Sequence, residues 1–154
     1  MSAKQEHSEK HSHSDSESDE RELGDLISWN SGGNLTNNSG VNDFIKLGGT
    51  TTNSENSAKF VITKSGTLKN LVAQLVKSTG TDDASPGEGK SRNFIIRKNG
   101  VNTNLAVNIS GTDSAGNNSH NKVHVKKFDL ISLVHNATGN PINAALGIIS
   151  VELH

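Results

Sequence analysis

The sequence predicts an all-β protein, with eight or nine strands arranged as an antiparallel sandwich or barrel. The clearest sign is the stretch Asn93–Ser110, in which two runs of strand-forming residues flank the pair Asn99-Gly100. This pair tolerates the positive φ that both central residues of a type I′ turn require, and the twist of such a turn suits the strands it joins. We therefore expect a two-residue β-hairpin here.

The second sign is the rhythm of the chain. Short runs of strand-forming residues alternate with clusters of Gly, Asn, Ser and Thr, and this spacing is typical of sandwiches and barrels. No segment is a convincing helix. The predicted strands are Leu26–Trp29, Asp43–Leu47, Ala58–Thr63, Thr67–Lys77, Ser91–Lys98, Val101–Ser110, Lys122–Lys126, Phe128–Asn136 and Ala144–Leu153. The loop Thr79–Lys90 separates the fourth and fifth of these runs, and the polar segment Gly111–Asn121 separates the sixth and seventh.

Two of these strands need a separate argument. The run Thr67–Lys77 has apolar residues at a spacing that also fits an amphipathic helix. We favour a strand because Ser65-Gly66 precedes the run and β-type segments surround it. In Val101–Ser110, Leu105, Val107 and Ile109 alternate with small or polar residues, which is the pattern of a half-buried antiparallel strand.

The chain divides at about residue 23. Residues 1–22 carry three basic and seven acidic side chains, and their only apolar residues are Met1 and Ala3. Such a segment buries too little surface to offset the entropy of ordering, so we expect a disordered polar tail followed by one domain at 23–154. Three histidines of the tail, His7, His11 and His13, raise the possibility of metal binding, but a solvated tail is the simpler interpretation.

Composition excludes several classes of protein. The chain of 154 residues has no Cys, and this rules out disulfides, thiolate chemistry and cysteine-based zinc sites. The formal net charge is −1, with no clustered basic stretch of the kind that nucleic-acid binding uses. No apolar run is long enough to span a membrane, and the N-terminus lacks the apolar core of a secretory signal. We expect neither a nucleic-acid partner nor a membrane span nor export by a signal peptide.

The closing strand suggests an interface. It is apolar on both faces, with Ile149, Val151 and Leu153 in one row and Leu146 and Ile148 in the other. A sandwich strand needs only one apolar face, so the second must be covered either by the protein's own loops or by another subunit. We favour an oligomer interface at Leu146 and Ile148, with Ile149 in the core.

Several segments carry a family resemblance. GTLKNL (66–71), residues 86–112 and FDLISLV (128–134) resemble jelly-roll domains of bacterial, phage and large-virus surface proteins, and LISWNSGG (26–33) resembles the start of C-terminal domains of collagen-like glycoproteins of the Bacillus exosporium. Those domains are similar to the C1q and tumour-necrosis-factor fold, a ten-stranded jelly roll that forms homotrimers. The resemblance covers roughly residues 26–153, and it implies a jelly-roll sandwich of eight to ten strands whose first and last strands lie together facing the trimer axis.

The resemblance favours a non-enzymatic structural or assembly protein in the outer layer of a spore or virion. There is no Gly-X-Y collagen stalk, which weighs against a spore filament and leaves a virion or phage surface open. The alternative is a ligand-binding module of a surface or tail-fibre protein. A calcium ion would use Asp82, Asp83 and Glu88, although the spacing is not that of an EF-hand and a solvated acidic loop is the simpler interpretation.

A carbohydrate would need an exposed aromatic side chain. Trp29 is the candidate, although a core position is the simpler interpretation. We expect Phe60, Phe94 and Phe128 in the core because each lies within an apolar strand run.

The remaining class is an enzyme. His120 and His124 share a strand face if that strand is regular, and His135 would join them if its strand pairs with theirs. Metal-binding jelly rolls use such histidines together with Glu. No Glu lies beside them here, so we expect exposed histidines at polar strand edges, no catalytic residue, no metal and no cofactor.

Overall fold

The computed structural model describes residues 24–80 and 82–154, and the predicted tail lies outside this range. The described residues form eleven β-strands and one turn of 3-10 helix at Glu55–Ser57. The strands are β1 (Asp25–Asn30), β2 (Asn42–Ile45), β3 (Thr51–Thr52), β4 (Phe60–Val61), β5 (Gly66–Val76), β6 (Gly87–Lys98), β7 (Val101–Gly111), β8 (Ala115–Asn118), β9 (Val123–Val125), β10 (Leu130–Thr138) and β11 (Leu146–Leu153). No helix in this part of the chain is long or apolar enough to cross a membrane.

The strands form two antiparallel sheets packed as a sandwich, which confirms the predicted fold class. The first sheet has the order β1-β11-β5-β8, with β9 also paired to β5. The second has the order β3-β2-β10-β6-β7, with β4 paired to β10. The first and last strands are neighbours, as the resemblance implied, because Asp25 lies opposite Leu153 and Asn30 opposite Ile148.

The predicted hairpin is confirmed. Lys98 pairs with Val101 across the turn, and Asn99 and Gly100 have φ of 52° and 80°. These are the positive angles that a type I′ turn requires at both central positions.

The core lies between the two sheets. In β7, Leu105, Val107 and Ile109 are buried as the alternation predicted. Trp29 and Phe94 are also buried, and Phe60 packs against the core from its edge. The Trp29 and Phe60 rings are 6.0 Å apart at an angle of 49°. Trp29 is therefore a core residue and offers no platform to a ligand.

The helix-like spacing of β5 has a structural cause, which is a β-bulge. Asn70 has a φ of 58°, and the pairing with β11 shifts by one residue between Ser150 and Glu152. The extra residue lets Leu68 and Leu71 both face the core, three positions apart, within one strand. The strand assignment is thus correct, and the apparent helical period comes from the bulge.

Other boundaries differ from the prediction. Ala115–Asn118 forms β8, inside a segment predicted as a loop. The prediction misses this strand because its polar and glycine residues show no alternation of apolar and polar side chains. β6 begins at Gly87 rather than Ser91.

The prediction for Phe128 is wrong. The chain makes a tight turn at 126–129 before β10 begins, so Phe128 is 73% exposed rather than in the core.

Candidate functional site

The first sheet presents an outer face that the described residues leave uncovered. Strand pairing places Ile148 between Asn30 and Gln74, and Ser150 between Ser28 and Val72. We call the following patch the open face: Leu26, Ser28 and Asn30 on β1, Leu146, Ile148 and Ser150 on β11, and Val72, Gln74 and Val76 on β5. None of these nine side chains is charged, but Glu152, the strand partner of both Leu26 and Lys69, places charge at one end of the patch.

The open face combines exposed apolar side chains with small polar ones. Leu26, Val72 and Ile148 are exposed by 68%, 50% and 40%, whereas Ile149, which points the other way, is buried. The hydroxyls of Ser28 and Ser150 hydrogen-bond to each other at 2.9 Å, which satisfies part of their polarity within the face. Leu146 and Ile148, the predicted interface residues, both lie here, and Leu146 is half-buried.

The open face continues onto β8, where a shallow groove of about 380 Å³ begins at Val72. The groove is lined by Asn70, Leu71, Val72, Ala115, Gly116, Asn117, Asn118 and Ser119, none of them charged. Charge-poor, partly apolar surface is typical of the central part of protein–protein interfaces.

The second sheet differs because a loop covers part of its outer face. Ala58, next to the 3-10 turn, packs on Phe44 and Val134. Glu55 of the same turn pairs with Arg97 on β6 and accepts a hydrogen bond of 2.8 Å from Ser132. Within residues 24–80 and 82–154, a loop thus covers part of the second sheet, and no segment covers the outer face of the first.

At one end of the core the inner face of the second sheet becomes polar. Arg92 on β6 is fully buried; its Nη1 donates to the Thr36 carbonyl at 2.8 Å and lies 3.3 Å from His135 Nε2. Its Nη2 donates to the Asn37 side chain and, at 3.1 Å, to the Asn143 carbonyl. Arg92 therefore ties the loop after β1 and the loop before β11 to the second sheet.

The charges of this cluster fix the protonation of His135. Arginine only donates, so Nε2 of a neutral His135 must accept and Nδ1 must carry the proton that is donated to Asp43 Oδ2 at 3.3 Å. Burial lowers the pKa of His135, against the opposing effect of the Asp43 hydrogen bond. Burial also opposes ionisation of Asp43, but its hydrogen bonds with His135 and the Thr36 amide hold its pKa below the usual value.

The three candidate histidines do not converge. His120 is exposed in the turn after β8, and His124 is exposed on β9, where its Nδ1 lies 3.1 Å from the Thr67 hydroxyl. β9 pairs with β5 and β10 pairs within the other sheet, so His135 is not their neighbour. The expectation that His135 is exposed is wrong, because its strand position places it on the inner face. Within the described residues no three His, Cys, Asp or Glu side chains form a metal-sized group.

The calcium candidates are only partly together. Asp82 and Asp83 line a groove near Lys77 that does not include Glu88. Asp83 Oδ1 accepts the Ser85 backbone N–H at 2.8 Å, a bond that lowers the pKa of Asp83 and closes the turn locally. Asp83 thus has a local structural role.

The sequence prediction missed an exposed aromatic turn. The Asp129 amide donates to the Lys126 carbonyl at 3.0 Å, and Phe128, third residue of this turn, has a φ of 78°. Type II turns place a positive φ at this position and favour Gly there; a bulky side chain costs roughly 1–2 kcal/mol. The Lys127 ammonium lies 5.2 Å from the ring centroid. An apolar run that continues into a turn gives no sequence signal for such exposure.

Comparisons with known proteins do not assign this chain to a family. No protein-family model and no curated protein sequence matches the chain. Among solved structures, a family 35 carbohydrate-binding module from Clostridium thermocellum is 11% identical with a TM-score of 0.34, over 60% of this chain and 66% of that one. A ruminal GH26 endo-β-1,4-mannanase is 16% identical with a TM-score of 0.33, over 61% and 17%. Murine APRIL is 13% identical with a TM-score of 0.33, over 84% and 100%.

Proposed function

We propose that this protein is a non-enzymatic assembly protein that associates with copies of itself, as a homotrimer, through the open face. The observation that supports the proposal is the exposure of Leu26, Val72 and Ile148 on a charge-poor face, while the partner sheet is partly covered by its own loop. Burying such a face stabilises an assembly by about 25 cal/mol per Å² of apolar surface.

The open face by itself is smaller than a stable interface, so neighbouring surface must contribute to the association. Three strands about 4.8 Å apart, each with about five residues of 3.3 Å, give a face of roughly 10–15 by 17 Å. Stable interfaces bury about 800 Å² on each partner, so neighbouring segments such as the β8 groove must contribute. Ile148 lies at the centre, where the largest energetic contributions concentrate.

Trimeric assembly and location in the outer layer of a spore or virion are supported by the resemblance of the segments at 26–33, 66–71, 86–112 and 128–134 to surface jelly rolls of the C1q and tumour-necrosis-factor type. Immunogold electron microscopy of native particles tests the location. Labelling confined to the particle interior or to the cytoplasm would contradict it.

Two adjacent residues test the association. Ile148→Lys puts a charge on the open face and should give a folded monomer. Ile149→Lys buries an unpaired charge in the core and should prevent folding. Light scattering should give three times the 16.3 kDa chain mass for the wild type and the chain mass for Ile148→Lys, with circular dichroism reporting the fold.

The matched control is Val101→Lys, which places the same charge at an exposed apolar residue of the other sheet. It should remain a trimer. A wild-type monomer at micromolar concentration, or an Ile148→Lys variant that stays trimeric, contradicts the proposal.

A further inference from the structure

The turn at Lys126–Asp129 holds its aromatic side chain outward on a rigid support. Asp129 is almost fully buried, and its carboxylate accepts the Lys126 amide at 2.9 Å and the Asn99 side-chain amide at 3.1 Å. The Phe128 amide donates to the Ile62 carbonyl at 2.8 Å. The backbone that carries the ring is thus fixed before any partner arrives, which lowers the entropic cost of binding.

Fold stability alone does not account for Phe128. Its side chain is exposed, so it gains little from burial, and its backbone angle is one that Gly adopts without strain. A bulky residue in a strained backbone conformation points to a function outside the fold itself.

A small groove adjoins the turn that carries the ring. It has a volume of about 260 Å³ and is lined by Lys98, His124, Val125, Lys126 and Asp129, so the turn that carries Phe128 forms one of its walls. Pockets for small molecules typically have about 300–1,000 Å³, so this groove, just below that range, suits a unit of about one ring.

The charge around the groove is positive. Lys98 Nζ donates to the His124 carbonyl at 3.0 Å. Neither Lys126 nor Lys127 has a carboxylate within salt-bridge distance in the described part of the chain. The one carboxylate in the lining, that of Asp129, is engaged by the turn itself.

We propose that the Phe128 turn and its groove bind an acidic saccharide, a sugar that carries carboxylate or sulfate groups. The ring of Phe128 packs against the C–H face of one sugar, and Lys98, Lys126 and Lys127 pair with the anionic groups.

The combination of features favours a sugar over other partners. A sugar can use a flat aromatic surface, a groove of one-ring size and separate cations together. An acidic peptide needs a longer groove or an open strand edge, and a bilayer makes no use of a groove. The proposal is independent of self-association, because the residues of the turn are not part of the open face.

The test is a titration of the full chain at low salt with two acidic probes, tetragalacturonate and a chondroitin sulfate tetrasaccharide, and with neutral maltotetraose. Backbone amide NMR shifts report where each probe binds. We expect at least one acidic probe to shift the amides of 126–129, with a dissociation constant of about 1 mM or below, and to bind at least about tenfold more tightly than the neutral probe.

The variants separate stacking from charge. Phe128→Gly keeps the turn and should weaken binding about tenfold or more while raising the melting temperature. Lys127→Gln should weaken binding several-fold and reduce its salt dependence. The matched control Lys77→Gln, at the residue that follows the far end of β5, should bind like the wild type.

Three outcomes overturn the proposal. The first is no shift at 126–129 with either acidic probe at about 10 mM, far above the expected dissociation constant. The second is equal binding by the wild type and Phe128→Gly, which would indicate unspecific attraction to lysines. The third is Phe128-dependent sedimentation with phosphatidylserine vesicles while both saccharides fail to bind, which would assign the turn to a membrane.

Discussion

His135 lies between a cation and an anion inside the fold. Its neutral form satisfies both neighbours, accepting from Arg92 and donating to Asp43, and these are the two charged groups that face it. A second proton would place an N–H donor against the guanidinium and leave that contact without an acceptor. Because Arg92 also holds Thr36, Asn37 and Asn143, the state of one imidazole affects two loops.

We predict that the free energy of unfolding decreases as pH falls from 7 to 5.5. The unfolded chain takes up the His135 proton near its ordinary pKa of 6.5, whereas burial lowers the pKa in the folded state. The unfolded state therefore binds more protons in this range, and one such group contributes up to about 1.4 kcal/mol per pH unit. The lowered pKa of Asp43 adds a further loss below its ordinary value of 3.8.

Urea unfolding at both pH values measures this effect. His135→Gln should be less stable overall, yet its stability should change less between pH 7 and 5.5. His120→Gln, which removes an exposed imidazole, should keep the wild-type difference. An unchanged pH dependence in His135→Gln would show that other groups cause it.

At the scale of elements, the sequence predicted those features that depend only on residues close together in the chain. Asn99-Gly100 sufficed for the hairpin, and alternation sufficed for β7. The sequence did not reveal that Asn99 also binds β10, where its side-chain oxygen accepts the Leu130 amide at 2.8 Å. Arg92 could have been assigned to the inner face, because it lies two residues before buried Phe94, but its partners come from loops that only the fold brings together.

The bulge in β5 leads to a prediction at Asn70. Asn70→Val should destabilise the domain by about 1–2 kcal/mol, because a β-branched residue resists the left-handed backbone at this position. Asn70→Gly should stay within about 0.5 kcal/mol of the wild type, since Gly adopts this angle freely. Urea denaturation compares the three proteins, and equal stability of the Val and Gly variants would contradict the bulge.

At the scale of the whole molecule, the two sheets have different outer faces. The second is partly covered by Ala58 and the Arg97–Glu55 pair, whereas the first exposes a charge-poor apolar face. The two apolar rows of the closing strand indicated which face would be open, because one row faces the core and the other does not. The Phe128 turn could not be predicted, since its local hydrogen bonds are supported by long-range ones to Asn99 and Ile62 that only the fold brings together.

The proposed self-association through the open face predicts that thermal stability depends on protein concentration. Subunits that associate only when folded stabilise the native state by mass action. Raising the concentration of wild-type protein from about 1 to 100 µM should therefore raise the melting temperature by roughly 5 °C. Added NaCl should change this rise little, because the nine side chains of the open face are uncharged and charge borders the patch only at its Glu152 end. Calorimetry on Ile148→Lys should give a melting temperature independent of concentration, while Val101→Lys should follow the wild type. A wild-type melting temperature that stays constant over this range would mean that the open face remains exposed to solvent.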